Sequence, residues 1–125
     1  RNKKVEAVND IAKKMNINNF KGFHHRVENL MVDIPCVVSF KAVGSIKNLL
    51  KNVFSIQNNI AVFFKGPNFR ELEPGYELVN GWHLEKVYDY KVAGVGRSFL
   101  IYKKINNSPN LNKDLVKVSS ILSNV

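Results

Sequence analysis

The stretch from Pro35 to Pro67 constrains the fold more than any other part of the chain. An apolar run from Pro35 to Phe40 leads into Lys41-Ala42-Val43-Gly44. Ser45 is placed to cap a helix that carries Ile46, Leu49, Leu50, Val53 and Phe54 on one face. After the polar break Gln57-Asn58-Asn59, a second apolar run from Ile60 to Phe64 closes on Lys65-Gly66-Pro67. Two buried strands joined by a helix of this length form a βαβ unit with parallel strands. Ligands of such sheets bind beyond the carboxyl ends of the strands, where Lys41 and Lys65 both stand.

The flanks read as follows. Residues 1–16 predict a helix with Val5, Val8, Ile11, Ala12 and Met15 on one face, ended by Asn16 and Asn18-Asn19. Phe20 to Arg26 reads as a short strand, bounded by Val27-Glu28 and a loop through Asp33. Residues 68–78 are polar and read as a short helix or loop, broken by Pro74-Gly75. Leu84 to Val92 and Ser98 to Ile105 are β-rich runs, and the Ala93-Gly94-Val95-Gly96 connection predicts an antiparallel hairpin. From Asn106 the composition turns to Asn, Ser and Lys, which separates a domain over 1–105 from a tail over 106–125. Asn106 to Pro109 has the look of a linker. Leu111, Leu115, Val118, Leu122 and Val125 then keep a helical spacing, read as an amphipathic helix seeking a surface or as a solvated tail.

Charge narrows the partners. Nineteen Lys and Arg against ten Asp and Glu give a formal charge of +9. That favours a polyanionic partner, nucleic acid before an anionic membrane, over charge that serves solubility alone. The single cysteine, Cys36, excludes an internal disulfide, fits a reducing cytosolic setting, and reads as a small buried hydrophobe. No apolar run approaches the roughly 20 residues of a membrane helix. The chain opens on Arg1 within a helical pattern and is expected to be the C-terminal portion of something longer. His24 and His25 are adjacent on an extended segment, point to opposite faces and do not chelate together. Phe63-Phe64 reads as core rather than as a base-stacking platform. Lys103-Lys104 reads as a phosphate-contacting edge or a solvated strand end.

The succession Arg26-Val27-Glu28, Ser39-Phe40-Lys41-Ala42-Val43, Phe63-Phe64-Lys65-Gly66 and Gly96-Arg97 resembles the bacterial small-subunit ribosomal RNA guanine-N7 methyltransferases, the RsmG (glucose-inhibited division protein B) family. The likeness spans residues 1–105 and rests on the order and spacing of these motifs at strand ends. It implies an α/β, Rossmann-like, S-adenosylmethionine-dependent methyltransferase fold. The chain would hold its C-terminal half, with strands ordered 4-5-7-6 and the last two forming the hairpin. Val27 and Glu28 would line the adenosine part of the cofactor pocket. Lys41 would touch the cofactor where the family carries arginine, a point charge replacing a two-pronged fork. Arg26, Lys65 and Arg97 would face the rRNA of the small ribosomal subunit or shape the pocket.

The family's Gly-rich loop and its acidic second strand end would precede Arg1, so the chain alone is expected to be inactive. The strand at Phe20 to Arg26 would lose its sheet neighbours, and the strand at Pro35 to Phe40 would become an open edge prone to pair with another copy. Methylation of guanine N7 needs no general base, because the lone pair is already free. This agrees with the lack of an acid–base pair in the sequence. Two other functions compete with this one: a non-catalytic basic RNA-binding domain, and a metabolic Rossmann-type domain whose charge is incidental.

Overall fold

The computed structural model describes residues 2–41, 44–109 and 114–123. Arg1, Ala42, Val43, Leu111 and Val125, all invoked above, lie outside them. Helix α1 (Asn2–Lys14) opens the chain, and a 3₁₀ turn (Val27–Asn29) leads into β1 (Leu30–Val32). There follow β2 (Val37–Lys41), α2 (Ile46–Lys51), β3 (Phe54–Ser55), β4 (Ile60–Lys65), α3 (Phe69–Leu72) and β5 (Leu78–Val79). The long strands β6 (Trp82–Val92) and β7 (Val95–Lys104) precede β8 (Val116–Lys117) and α4 (Val118–Leu122).

These elements make a mixed α/β structure with two sheets. A five-stranded mixed sheet runs β2-β4-β7-β6-β5, and a three-stranded parallel sheet runs β3-β1-β8. The expected βαβ core is present: β2 and β4 pair in parallel from Val37↔Ile60 to Lys41↔Phe64, with α2 between them in the chain. Ser45 caps α2 as its position predicts, its Oγ accepting the Asn48 N–H at 3.3 Å. The helix is shorter than expected, however. Val53 lies beyond it, and Phe54 enters β3. As foreseen, β2 is an edge strand.

One layer of side chains joins α2 to the sheet. Ile46 and Leu50 from α2, Ala61 and Phe63 from β4, Leu100 and Tyr102 from β7, Trp82 from β6 and Phe69 from α3 are all buried in one cluster. Full burial of an aliphatic side chain of this size is worth about 1.5–3 kcal/mol, so α2 is held by packing rather than by its two turns. Phe63 stacks on Phe40 with ring centroids 5.0 Å apart and meets Tyr102 edge-on at 5.6 Å. The Tyr102 hydroxyl donates to the Tyr76 carbonyl at 2.8 Å, and burial, with Glu73 beside it, drives its pKa upward.

The hairpin is as predicted but tighter. Val92 pairs with Val95, leaving a two-residue turn in which Ala93 (φ 51°) and Gly94 (φ 79°) are both left-handed, as a type I′ turn requires. The polar break 57–59 is a clamp. Buried Asn59 accepts the Cys36 N–H at 2.9 Å and donates to the Ile34 carbonyl at 2.9 Å and Ser55 Oγ at 2.8 Å. Cys36 itself is only half-buried, and partial burial raises its thiol pKa.

Three expectations need correction. Residues 20–26 form no strand, because no neighbouring strand completes their hydrogen bonds. The apparent linker is fastened to β3: Ser55 N–H donates to Ser108 Oγ at 2.8 Å, Ser108 N–H donates to the Ser55 carbonyl at 2.8 Å, and Gln57 N–H donates to Asn107 Oδ1 at 2.7 Å. The tail then adds a strand to β1 before a short helix, rather than forming one long amphipathic helix, and Asp33 caps that helix through the Ser119 N–H and hydroxyl.

Helix α1 ends as the sequence predicts. Asn16 is left-handed (φ 57°) and the Ile17 N–H reaches back to the Ala12 carbonyl at 2.9 Å, closing a Schellman turn. Of its apolar face, Ala12 is buried while Val8, Ile11 and Met15 are exposed. Asn9 ties the helix to Gly22 by two hydrogen bonds.

Candidate nucleic-acid interface

Parallel pairing puts the carboxyl ends of β2 and β4 side by side, and the antiparallel β7 begins where they end. Phe64 lies opposite Lys41 on one side and Phe99 on the other. Lys65 is opposite Ser98, and Tyr90 is opposite Arg97. Backbone register alone therefore gathers Lys41, Lys65 and Arg97 around one open cavity of about 540 Å³, with Phe64, Gly66, Tyr90 and Val92 completing its lining. No acidic side chain of the described residues lines it.

The three cations are not equivalent. Lys65 is mostly buried and already bonded: its Nζ donates to the Gly44 carbonyl at 2.7 Å and pairs with Glu73 Oε2 at 2.7 Å. Glu73 Oε1 in turn accepts the Ile46 N–H at 2.7 Å, at the first turn of α2. Lys65 thus holds the β2–α2 connection, and its charge is largely neutralised. Lys41 and Arg97 are exposed and make no ion pair among the described residues. The Arg97 guanidinium crosses the chain at Gly66, its Nη1 3.9 Å from where a Cβ on that glycine would sit.

Beside the cavity lies a hollow of about 300 Å³ bordered by Pro67, Arg70, Asp89, Tyr90 and Arg97. Asp89 accepts from Arg70 at 2.9 Å and from the Ser98 hydroxyl at 2.6 Å, and the guanidinium foremost holds the carboxyl below its usual range. Asp89 is therefore a fixed anion that balances Arg70 and leaves Arg97 free.

The sheet face next to the cavity is aromatic. Phe64 and Phe99 meet edge-on at 5.0 Å, Tyr88 lies 6.3 Å from Phe99, and Lys86 sits 5.4 Å over the Tyr88 ring. Phe64, Tyr88 and Tyr90 are 38%, 51% and 41% exposed. Strand alternation explains this. Phe63 faces α2 and Phe64 the opposite side, so reading both as core was right for only the first. Exposed aromatics with interleaved cations offer single-stranded nucleic acid stacking surfaces for bases and charges for phosphates.

The other three residues singled out in the sequence lie elsewhere. Arg26 is exposed and Glu28 partly so, their side chains 3.8 Å apart, and Val27 packs against the hydrophobic core. None of them lines the cavity with Lys41. Val27 and Glu28, which the resemblance places at the adenosine part of a cofactor pocket, thus share no cavity with Lys41 among the described residues. Sequence reasoning missed Tyr90 and Tyr88. Their signal was the alternation of tyrosine with charged residues along β6, legible only once the covered face was known. No helix of the described residues is long and apolar enough to cross a membrane, and no group of three or more His, Cys, Asp or Glu side chains among them is placed to hold a metal ion.

No protein-family model matches the sequence, and no curated protein matches it significantly.

Proposed function

We propose that this chain is the RNA-facing part of a small-subunit ribosomal RNA guanine-N7 methyltransferase of the RsmG type, binding RNA at the cleft of Lys41, Tyr90 and Arg97. The observation that carries this reading is the order β2-β4-β7-β6, with an antiparallel β7 inserted between β4 and β6 and the cationic cavity at the carboxyl ends of β2 and β4. That is the 4-5-7-6 order the resemblance implies, and the ligand position expected of such sheets.

In this reading Arg97 and Lys41 hold backbone phosphates or guanine O6, while Phe64 and Tyr90 supply stacking faces. No carboxylate or imidazole of the described residues lines the cavity, and delivery of a base whose N7 needs no deprotonation requires none. Lys65 acts as a positioning residue, through Gly44 and Glu73, and not as a phosphate donor. The separation of Val27 and Glu28 from Lys41 favours a second reading, a non-catalytic basic RNA-binding domain. In either case the isolated chain transfers no methyl group.

The test is a titration with a small-subunit rRNA fragment across salt concentrations, beside a calorimetric titration with S-adenosylmethionine. Retained RNA affinity whose salt slope falls by about one in Arg97→Gln supports the interface. Absence of RNA affinity in the folded chain leaves only the metabolic-domain reading. Micromolar cofactor binding would show that the chain builds a cofactor pocket and would overturn the division of labour proposed here.

A further inference from the structure

A second cavity is larger than the one that gathers Lys41 and Arg97. At the opposite end of β7 a cleft of about 650 Å³ opens between α2, the β5–β6 turn and residues 106–109. Arg97 and Lys104 are seven residues apart on one strand, which places the two cavities roughly 20 Å from each other. Lys47 and Lys51 reach the cleft from α2 and Lys104 from β7. Asn80, Asn107 and Ser108 contribute amides and a hydroxyl, and no acidic residue among the described ones lines it.

Lys104 is the unusual member. It is only 8% exposed, yet it forms no ion pair among the described residues. Its Nζ lies 5.3 Å over the ring of Trp82, the one tryptophan of the chain. Two left-handed glycines make room for these ammonium groups. A Cβ on Gly81 (φ 84°) would stand 2.9 Å from Lys104 Nζ, and one on Gly75 (φ 83°) would stand 2.8 Å from Lys47 Nζ. A buried ammonium without a counter-ion is costly, and burial depresses the Lys104 pKa. Two further lysines line the same concave space, so positive charge is gathered there with no carboxylate of the described residues beside it.

We infer that the cleft formed by Lys47, Lys51 and Lys104 is a phosphate-binding site, separate from the RNA-facing cavity and independent of the function proposed for it. Three ammonium groups and neighbouring amide donors suit a ligand with clustered phosphate oxygens. Such oxygens are presented by a small diphosphate or by the backbone of an RNA strand.

Trp82 gives the site its own reporter, because an anion drawn to Lys104 changes the field at the indole ring. The experiment follows tryptophan emission of the full chain during titration with inorganic diphosphate, then with a single-stranded RNA oligonucleotide. A saturable change is expected with diphosphate. Its apparent Kd should rise about tenfold in Lys104→Met and again in the Lys47→Gln/Lys51→Gln pair, each losing charge-assisted contacts. Lys104→Met keeps an unbranched side chain of similar length without the charge. The two glutamine substitutions are at exposed positions, so folding is preserved in at least one arm. Lys3→Gln, at an exposed position of α1 that lines neither cavity, controls for net charge. If RNA displaces diphosphate from the site, the natural phosphates are those of an RNA backbone. If it does not, they belong to a small molecule. A flat wild-type titration, or an equal loss in Lys3→Gln, overturns the inference.

Discussion

Lys65 and Glu73 meet at 2.7 Å with both side chains less than one-fifth exposed, and the second Glu73 oxygen holds the first amide of α2. One carboxylate therefore fixes both the end of β4 and the start of the helix that covers the sheet. Removing either partner leaves the other mostly buried and charged. Glu73→Ala is expected to destabilise the fold by about 2–3 kcal/mol, and Glu73→Gln, which keeps an acceptor for the Ile46 N–H, by about half of that. Urea denaturation of both variants measures the split. Equal losses would mean that the hydrogen bond to the Ile46 amide contributes nothing beyond the ion pair.

The same contact separates Lys65 from Arg97 in function. Lys65→Met is expected to act mainly on stability. Arg97→Gln should leave the denaturation midpoint unchanged while lowering the salt slope of RNA binding by about one. RNA titrations on variants matched for folded fraction distinguish the two. A full unit of slope lost in Lys65→Met would place its ammonium on the RNA instead.

Acid should release the C-terminal tail first. Hydrogen bonds from Ser119 hold Asp33 below its ordinary carboxylate pKa, so its ionised form is favoured in the folded state. The stabilisation is complete above the unfolded carboxylate pKa and is lost as pH falls through the lower, folded one. Asp89, lowered by Arg70 and Ser98, adds acid sensitivity of the same sign at an exposed site. Asp33→Asn keeps the hydrogen-bonding shape without the titration and should flatten the acid limb of the stability curve. Amide exchange at Ser119, followed against pH, reports the local part. A rate independent of pH beyond the intrinsic chemistry would exclude the carboxylate.

The hairpin turn carries removable strain. Ala93 occupies a left-handed conformation that costs an L-residue with a Cβ roughly 1 kcal/mol, and asparagine tolerates it better. Ala93→Asn should raise stability by about 0.5–1 kcal/mol, and Gly94→Ala should lower it by about 1 kcal/mol. Thermal unfolding of the two variants should shift in opposite directions. A loss in Ala93→Asn would mean the turn departs from type I′.

Gly81 faces a sharper limit. Its φ of 84° and the Lys104 ammonium 2.9 Å from a Cβ position both oppose a side chain. Gly81→Ala is expected to cost about 1–2 kcal/mol and to disturb Trp82 emission even without ligand. An unchanged spectrum would mean that Lys104 moves freely.

The sequence by itself determined the elements whose signals are local. Alternation and apolar runs placed β2, β4, β6 and β7, Ser45 marked the start of α2, and Asn16 marked the end of α1. Ala93-Gly94 set the hairpin, since a turn with two positive φ angles admits few residues. The strand-end positions of Lys41 and Lys65 followed from the same runs. Tertiary structure decided everything that depends on a partner far along the chain. Residues 20–26 have strand-like composition but no neighbouring ladder. Ser108 and Asn107 look like linker until β3 supplies their hydrogen-bond partners. Phe63 and Phe64 are identical in the sequence, and only the side of the sheet that α2 covers makes one core and the other surface. Likewise, Glu73 turns Lys65 into a support, while Arg97 stays free because Asp89 is already bonded to Arg70. Charge and pattern say that cations stand at strand ends. Which of them can still bind a phosphate depends on what each already touches, and that is fixed by contacts between residues distant in sequence.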